Sequence, residues 1–116
     1  MNFQAIQRRP RIHDERHLAW VRRLPCLICK NEVETEACHV RMADPSIGKL
    51  NSGLGQKPHD YFVVPLCGAH HRRQHMQNER EWWAAHNVDP VKLALMLFAV
   101  SGDHQEAERI IRAAFD

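Results

Sequence analysis

The chain has no run approaching the ~18 consecutive apolar residues that a membrane span requires. Residues 1–13 are polar and arginine-bearing, so no secretory signal is expected either, and a cytoplasmic protein without membrane attachment is predicted. There is no internal repeat and no low-complexity tract. Charge of either sign is nearly balanced: a net +2 is too small to declare a polyanionic partner. What is present is tryptophan, leucine, isoleucine and valine spread along 116 residues, enough for one modest core that a metal staple would help to fold. In a cytosolic setting, four cysteines including a C-x-x-C read as metal ligands rather than disulfides.

The distribution of charge says more than its sum. Residues 1–25 carry six arginines against Asp14 and Glu15, a balance of +4, while residues 26–37, 38–77 and 78–116 balance to −2, +3 and −3. A polyanion would therefore meet the basic arm, residues 1–13, and the histidine-bearing middle. Residues 14–116 read as a single α+β domain, with a core at about 26–77 and packing helices over 78–116. Asp14 caps a helix running to about Leu24, which Pro25 stops. A strand is predicted near Ala37–Met42, a long loop over 43–60, and a second strand at Tyr61–Val64 ended by Pro65. A helix starting around Cys67–Gly68 then carries the histidines. Asn78 with Glu81, Asp89-Pro90 and Asp103 with Glu106 are caps for three further helices. Leu93, Met96, Leu97 and Val100 fall at i, i+3, i+4 and i+7.

Two short clusters carry the chemistry: Cys26-Leu-Ile-Cys29 and Cys67-Gly-Ala-His70-His71-Arg-Arg-Gln-His75. Cys26, Cys29, Cys67 and His70 have the spacing of a structural zinc site, two ligands from each of two tight knuckles. A redox C-x-x-C is disfavoured, because no βαβ pattern surrounds it. His71 and His75 lie one helical turn apart on one face and are placed to share a second metal. His39, on the strand before the long loop, is expected to face them across a ββα unit. Neutral imidazole there is suited to taking a proton from water. The blander readings are a core histidine at 39, hydrogen-bonded to backbone, and solvated or DNA-phosphate-facing histidines at 71 and 75.

Pro25-Cys-Leu-Ile-Cys29, Glu36-Ala-Cys-His39, and Val64-Pro-Leu-Cys-Gly-Ala-His-His71 with His75 resemble the HNH (ββα-metal) endonucleases that carry an added zinc knuckle. More narrowly, Arg16 to Asp103 is similar to a group of small phage and prophage HNH proteins, many of them uncharacterised. The resemblance implies a small ββα-metal (His-Me finger) core with an N-terminal helix and C-terminal packing helices. It implies His39 as general base, His71 and His75 as catalytic-metal ligands, and the Cys26, Cys29, Cys67, His70 set around structural zinc. Two positions depart from the pattern. Phe62 stands where the family has its middle asparagine, and Asp60 just upstream is a candidate for that orienting role. Cys38 stands immediately before the base, where the family often has an aspartate or histidine ligand. A thiolate suits Mg²⁺ poorly and softer ions well, so Cys38 either is packed or shifts the metal preference.

The implied activity is metal-dependent hydrolysis of a DNA phosphodiester, leaving a 5′ phosphate and a 3′ hydroxyl. The catalytic ion would be Mg²⁺ or Mn²⁺, with Ni²⁺ or Zn²⁺ as alternatives. Arg41, Lys49, Lys57, Arg72 and Arg73 are the candidate phosphate contacts, which position a strand without reading its sequence. No base-reading module is evident, so low sequence specificity, or specificity from a protein partner, is expected of a monomer or homodimer in a bacterial or phage-infected cell. The rival readings are a non-catalytic zinc-stabilised module binding DNA or protein, and a nuclease directed at RNA.

Overall fold

The structure, a computed structural model, describes residues 11–50 and 58–114. Most of the basic arm, Lys57 and the last two residues lie outside the described residues. The described elements are α1 (Glu15–Val21), β1 (Thr35–His39), β2 (Val63–Cys67), α2 (Gly68–His75), α3 (Glu79–Ala85), α4 (Pro90–Ala99) and α5 (His104–Ala113). A 3-10 turn, Pro45–Ile47, interrupts the long connection between the strands. This is a small α+β fold, in which no described helix is long and apolar enough to cross a membrane.

Local chemistry accounts for the helix starts. The side chains of Asp14, Asn78, Asp89 and Asp103 each accept a backbone N–H three residues on, at 3.0–3.1 Å. Pro90 occupies the first turn of α4, where its missing N–H costs nothing. α1 ends at Val21, three residues before the predicted end. Arg23 N and Leu24 N bond Trp20 O and Val21 O in tightened i to i+3 fashion, and Pro25 forbids another helical turn.

Both strands are displaced from their predicted positions, and β2 runs through Pro65 instead of stopping there. The reason is register. Val40 N donates to Phe62 O at 2.8 Å, so the pairs Cys38↔Val64 and Glu36↔Leu66 are the bonded ones, and Pro65 opposite Ala37 needs no N–H. Pro65 O instead accepts from Leu27 N at 3.0 Å, which fastens the first knuckle along the outer edge of β2.

Strand alternation divides the side chains between two faces. Glu36 and Cys38 point toward α2: Glu36 Oε1 lies 2.7 Å from His71 Nδ1, and Cys38 Sγ lies 3.7 Å from Gln74 Oε1. His39 points the other way, toward Asp60 and the start of α1. The core fills in around the sheet with Val21, Leu24, Leu27, Val63, Val64, Leu66, Trp83, Val91, Leu97 and Ile111, all fully buried. His17 is buried among them. Its Nδ1 lies 2.7 Å from Ser101 Oγ, tying α1 to the end of α4, and burial lowers its pKa.

Candidate functional site

The first knuckle is a tight turn closed by Lys30, which adopts the left-handed conformation at φ 62°. Lys30 N bonds Cys26 O at 2.9 Å, and its Nζ reaches Leu27 O at 2.7 Å and Ile111 O at 3.0 Å. The second knuckle is the junction of β2 and α2, with Cys67 in extended conformation at the cap and His70 in the first turn. Strand pairing and the Leu27–Pro65 bond bring the two knuckles together.

The ligand atoms of Cys26, Cys29, Cys67 and His70 all lie within 4.8 Å of one another. Cys29 Sγ to Cys67 Sγ is 3.9 Å, Cys26 Sγ to His70 Nδ1 is 3.8 Å and Cys67 Sγ to His70 Nδ1 is 3.1 Å. A tetrahedral ion with bonds of about 2.0–2.3 Å needs donor separations of roughly 3.3–3.8 Å, so this Cys₃His cluster fits a metal ion such as zinc. Protonation agrees. Burial works against the Cys67 thiolate, but the backbone N–H groups of His70 and Ala69 and the neighbouring thiols outweigh it and lower the pKa. Burial, with Arg73 and His86 nearby, lowers the pKa of His70 and keeps a lone pair available. Burial raises the pKa of Cys26, and the Ile28 N–H at 3.4 Å works the other way.

Among the described residues this is the one group of three or more His, Cys, Asp or Glu side chains close enough to hold an ion. His39, His71 and His75 do not form such a group. His71 and His75 do meet: their Nε2 atoms are 2.9 Å apart, and His71 Nδ1 is held by Glu36. Two imidazoles on one ion at about 2.0–2.1 Å, at right angles, would show a similar separation of about 3 Å. Burial, then His71 and Arg41, lower the pKa of His75. His39, expected to face this pair, has its Nε2 2.9 Å from Asp60 Oδ1, and strand alternation sets its side chain opposite to those of Glu36 and Cys38. The alternation that turns Cys38 toward α2 turns its neighbour away.

Asp60 is buried, and its carboxylate gathers three segments. Oδ1 takes His39 and the Arg11 guanidinium; Oδ2 accepts the Asp14 N–H at 2.8 Å, with the exposed His13 3.8 Å away. Burial alone would raise its pKa, but His39, the Asp14 N–H and Arg11 outweigh it and hold the carboxyl at about 2. Asp60 thus stands as an ionised hydrogen-bond partner of His39.

The other candidates separate. Cys38 is buried against Gln74, and burial pushes its thiol up to about 12, so it is packed as a neutral side chain. Lys49 was expected on a DNA-facing loop. It is buried instead, with Nζ 2.7 Å from Met42 O and 4.9 Å from the centre of the Phe62 ring, so its ammonium is engaged inside the fold. A short bridge between Asp44 and Lys49 folds this part of the loop back on itself and turns the ammonium inward. Arg72 and Arg73 are exposed on α2, and Arg41 is half-buried with its N–H on Glu79. Sequence reasoning missed Glu36, Lys30 and Arg11 as contributors. Only the short Glu36-Ala-Cys-His39 spacing hinted at the first.

A family model described as "Protein of unknown function (DUF968)" matches residues 1–101. The chain is similar to a protein of Escherichia coli (strain K12) described as "Uncharacterized protein YdfU", 34% identical over 76 residues. The match covers 64% of this chain and 19% of that protein, so the chain spans about a fifth of its relative's length. No solved structure matches.

Proposed function

Because the chain belongs to that family, whose description carries no activity, we propose from the site itself that it is a metal-dependent DNA endonuclease of the HNH type, with zinc in its Cys₃His cluster. The supporting observation is the pair His71 and His75, with Nε2 atoms 2.9 Å apart and the rear nitrogen of His71 occupied by a carboxylate. A divalent cation held by that pair would supply Lewis-acid stabilisation of charge on phosphodiester oxygens. The chain's own residues do the rest. His39, oriented by Asp60, accepts the proton of the attacking water. Arg72 and Arg73 hold phosphates along α2. His39 and the pair flank β1 from opposite faces, so the phosphodiester would lie across the end of that strand, where Arg41 leaves it.

The opposed orientation of His39 favours a second reading, a zinc-braced module that binds a polyanion without cutting it. One assay separates the two: wild type, His39→Ala and His71→Ala with supercoiled DNA, single-stranded DNA and RNA, each in Mg²⁺, Mn²⁺ or Ni²⁺. The nuclease reading expects DNA cleavage by the wild type alone, all three proteins keeping one zinc per chain. Cleavage by His39→Ala at the wild-type rate removes the base. Salt-sensitive DNA binding with no cleavage in any metal establishes the second reading, and cutting confined to RNA redirects the substrate.

A further inference from the structure

The contact between β1 and α2 assigns a role to a residue outside the proposed catalytic set. We infer that Glu36 is a positioning residue, which fixes the tautomer and ring rotation of His71 so that Nε2 is its ligand atom. The inference rests on reading His71 and His75 as a metal pair.

Glu36 stands at a bonded position of β1, on the face that meets α2, and its Oε1 is 2.7 Å from His71 Nδ1. An ionised carboxylate only accepts, so the proton of a neutral His71 ring resides on Nδ1. Nε2 then carries the lone pair and faces His75 Nε2 at 2.9 Å. One proton at most fits between those two nitrogens, and it must belong to His75, which releases it to solvent or transfers it to its own Nδ1 when a cation arrives. A carboxylate behind a ligand imidazole also increases its basicity toward the metal. Without Glu36 the ring would be free to place its proton on Nε2 and to rotate. The Glu36 side chain is half-exposed and the His71 side chain mostly buried, so the carboxylate constrains the ring without being needed to fill the core.

The test uses the full chain with its zinc in place, comparing wild type with Glu36→Gln and Glu36→Ala. Ni²⁺ titration reads the second site, metal analysis reads retained zinc, and ¹⁵N NMR of the imidazoles without Ni²⁺ reads the tautomer at pH 8. Expected are Nδ1-protonated His71 in the wild type, mixed tautomers in Glu36→Ala, and Ni²⁺ binding weakened about 10–100-fold in Glu36→Ala at unchanged zinc content and thermal stability. Glu36→Gln, which keeps an acceptor but no charge, should fall between. Unchanged Ni²⁺ affinity in Glu36→Ala, or an Nε2-protonated His71 in the wild type, overturns the inference. A wild type that binds no Ni²⁺ while its tautomer still depends on Glu36 overturns the metal reading and leaves the positioning of the ring standing.

Discussion

Replacing Asp60 by asparagine tests the buried network that orients His39. The carboxyl titrates at about 2 in the folded chain against 3.8 in a model peptide, a difference worth on the order of 2 kcal/mol. Hydrogen-bond accounting reaches the same scale. Both oxygens now accept, Oδ1 from His39 and Arg11, Oδ2 from the Asp14 N–H. Asparagine offers one accepting oxygen, so its amide must point N–H groups at a donor on one side, a mismatch costing roughly 1–3 kcal/mol. The two figures describe one effect and do not add. Urea denaturation of Asp60→Asn at pH 7, followed by tryptophan fluorescence, should therefore show about 2 kcal/mol less stability, with a melting temperature lower by about 10 °C. The sign of the pH dependence follows from a depressed carboxyl pKa. The stabilisation is complete above about 3.8 and is lost as pH falls toward 2, so the difference between wild type and variant should shrink to roughly half by pH 3. Protonation of the metal ligands in acid affects both proteins and cancels in that difference. A loss below about 0.5 kcal/mol at pH 7, or a difference unchanged between pH 7 and pH 3, would refute the network.

Further outcomes are expected elsewhere. Cys67→Ser should abolish metal binding by the Cys₃His cluster and much of the cooperative thermal transition, read by metal analysis and calorimetry, because an ion held there would join the edge of β2 to the first knuckle. Retention of one zinc per chain with an unchanged transition would contradict this. Arg72→Gln and Arg73→Gln should each reduce the slope of DNA affinity against salt by about one phosphate contact, whereas Lys49→Met should leave that slope unchanged. A slope reduced by Lys49→Met would mean that its ammonium reaches DNA after all.

Features that depend on neighbours in the chain were readable in advance. Asp14, Asn78, Asp89 and Asp103 cap their helices because a cap reaches only three residues ahead. The four ligands of the Cys₃His cluster were legible for a similar reason, since each pair spans a single turn. Where a strand begins is a weaker local signal. Pro65 reads as a breaker until its partner shows that the missing N–H faces away from β1.

The residues alone specified an α+β chain with capped helices and a cluster suited to a tetrahedral ion, because caps, turns and paired knuckles are short-range geometry. The side of the sheet each chemical group occupies was settled by packing, since strand side chains alternate and a shift of one residue exchanges the faces. That rule parted His39 from His71 and His75. Folding also joined groups distant in sequence: Glu36 to His71, Arg11 to Asp60 and His17 to Ser101, separated by 35, 49 and 84 positions. No local pattern encodes such pairings, because they form only when separate elements share one buried volume.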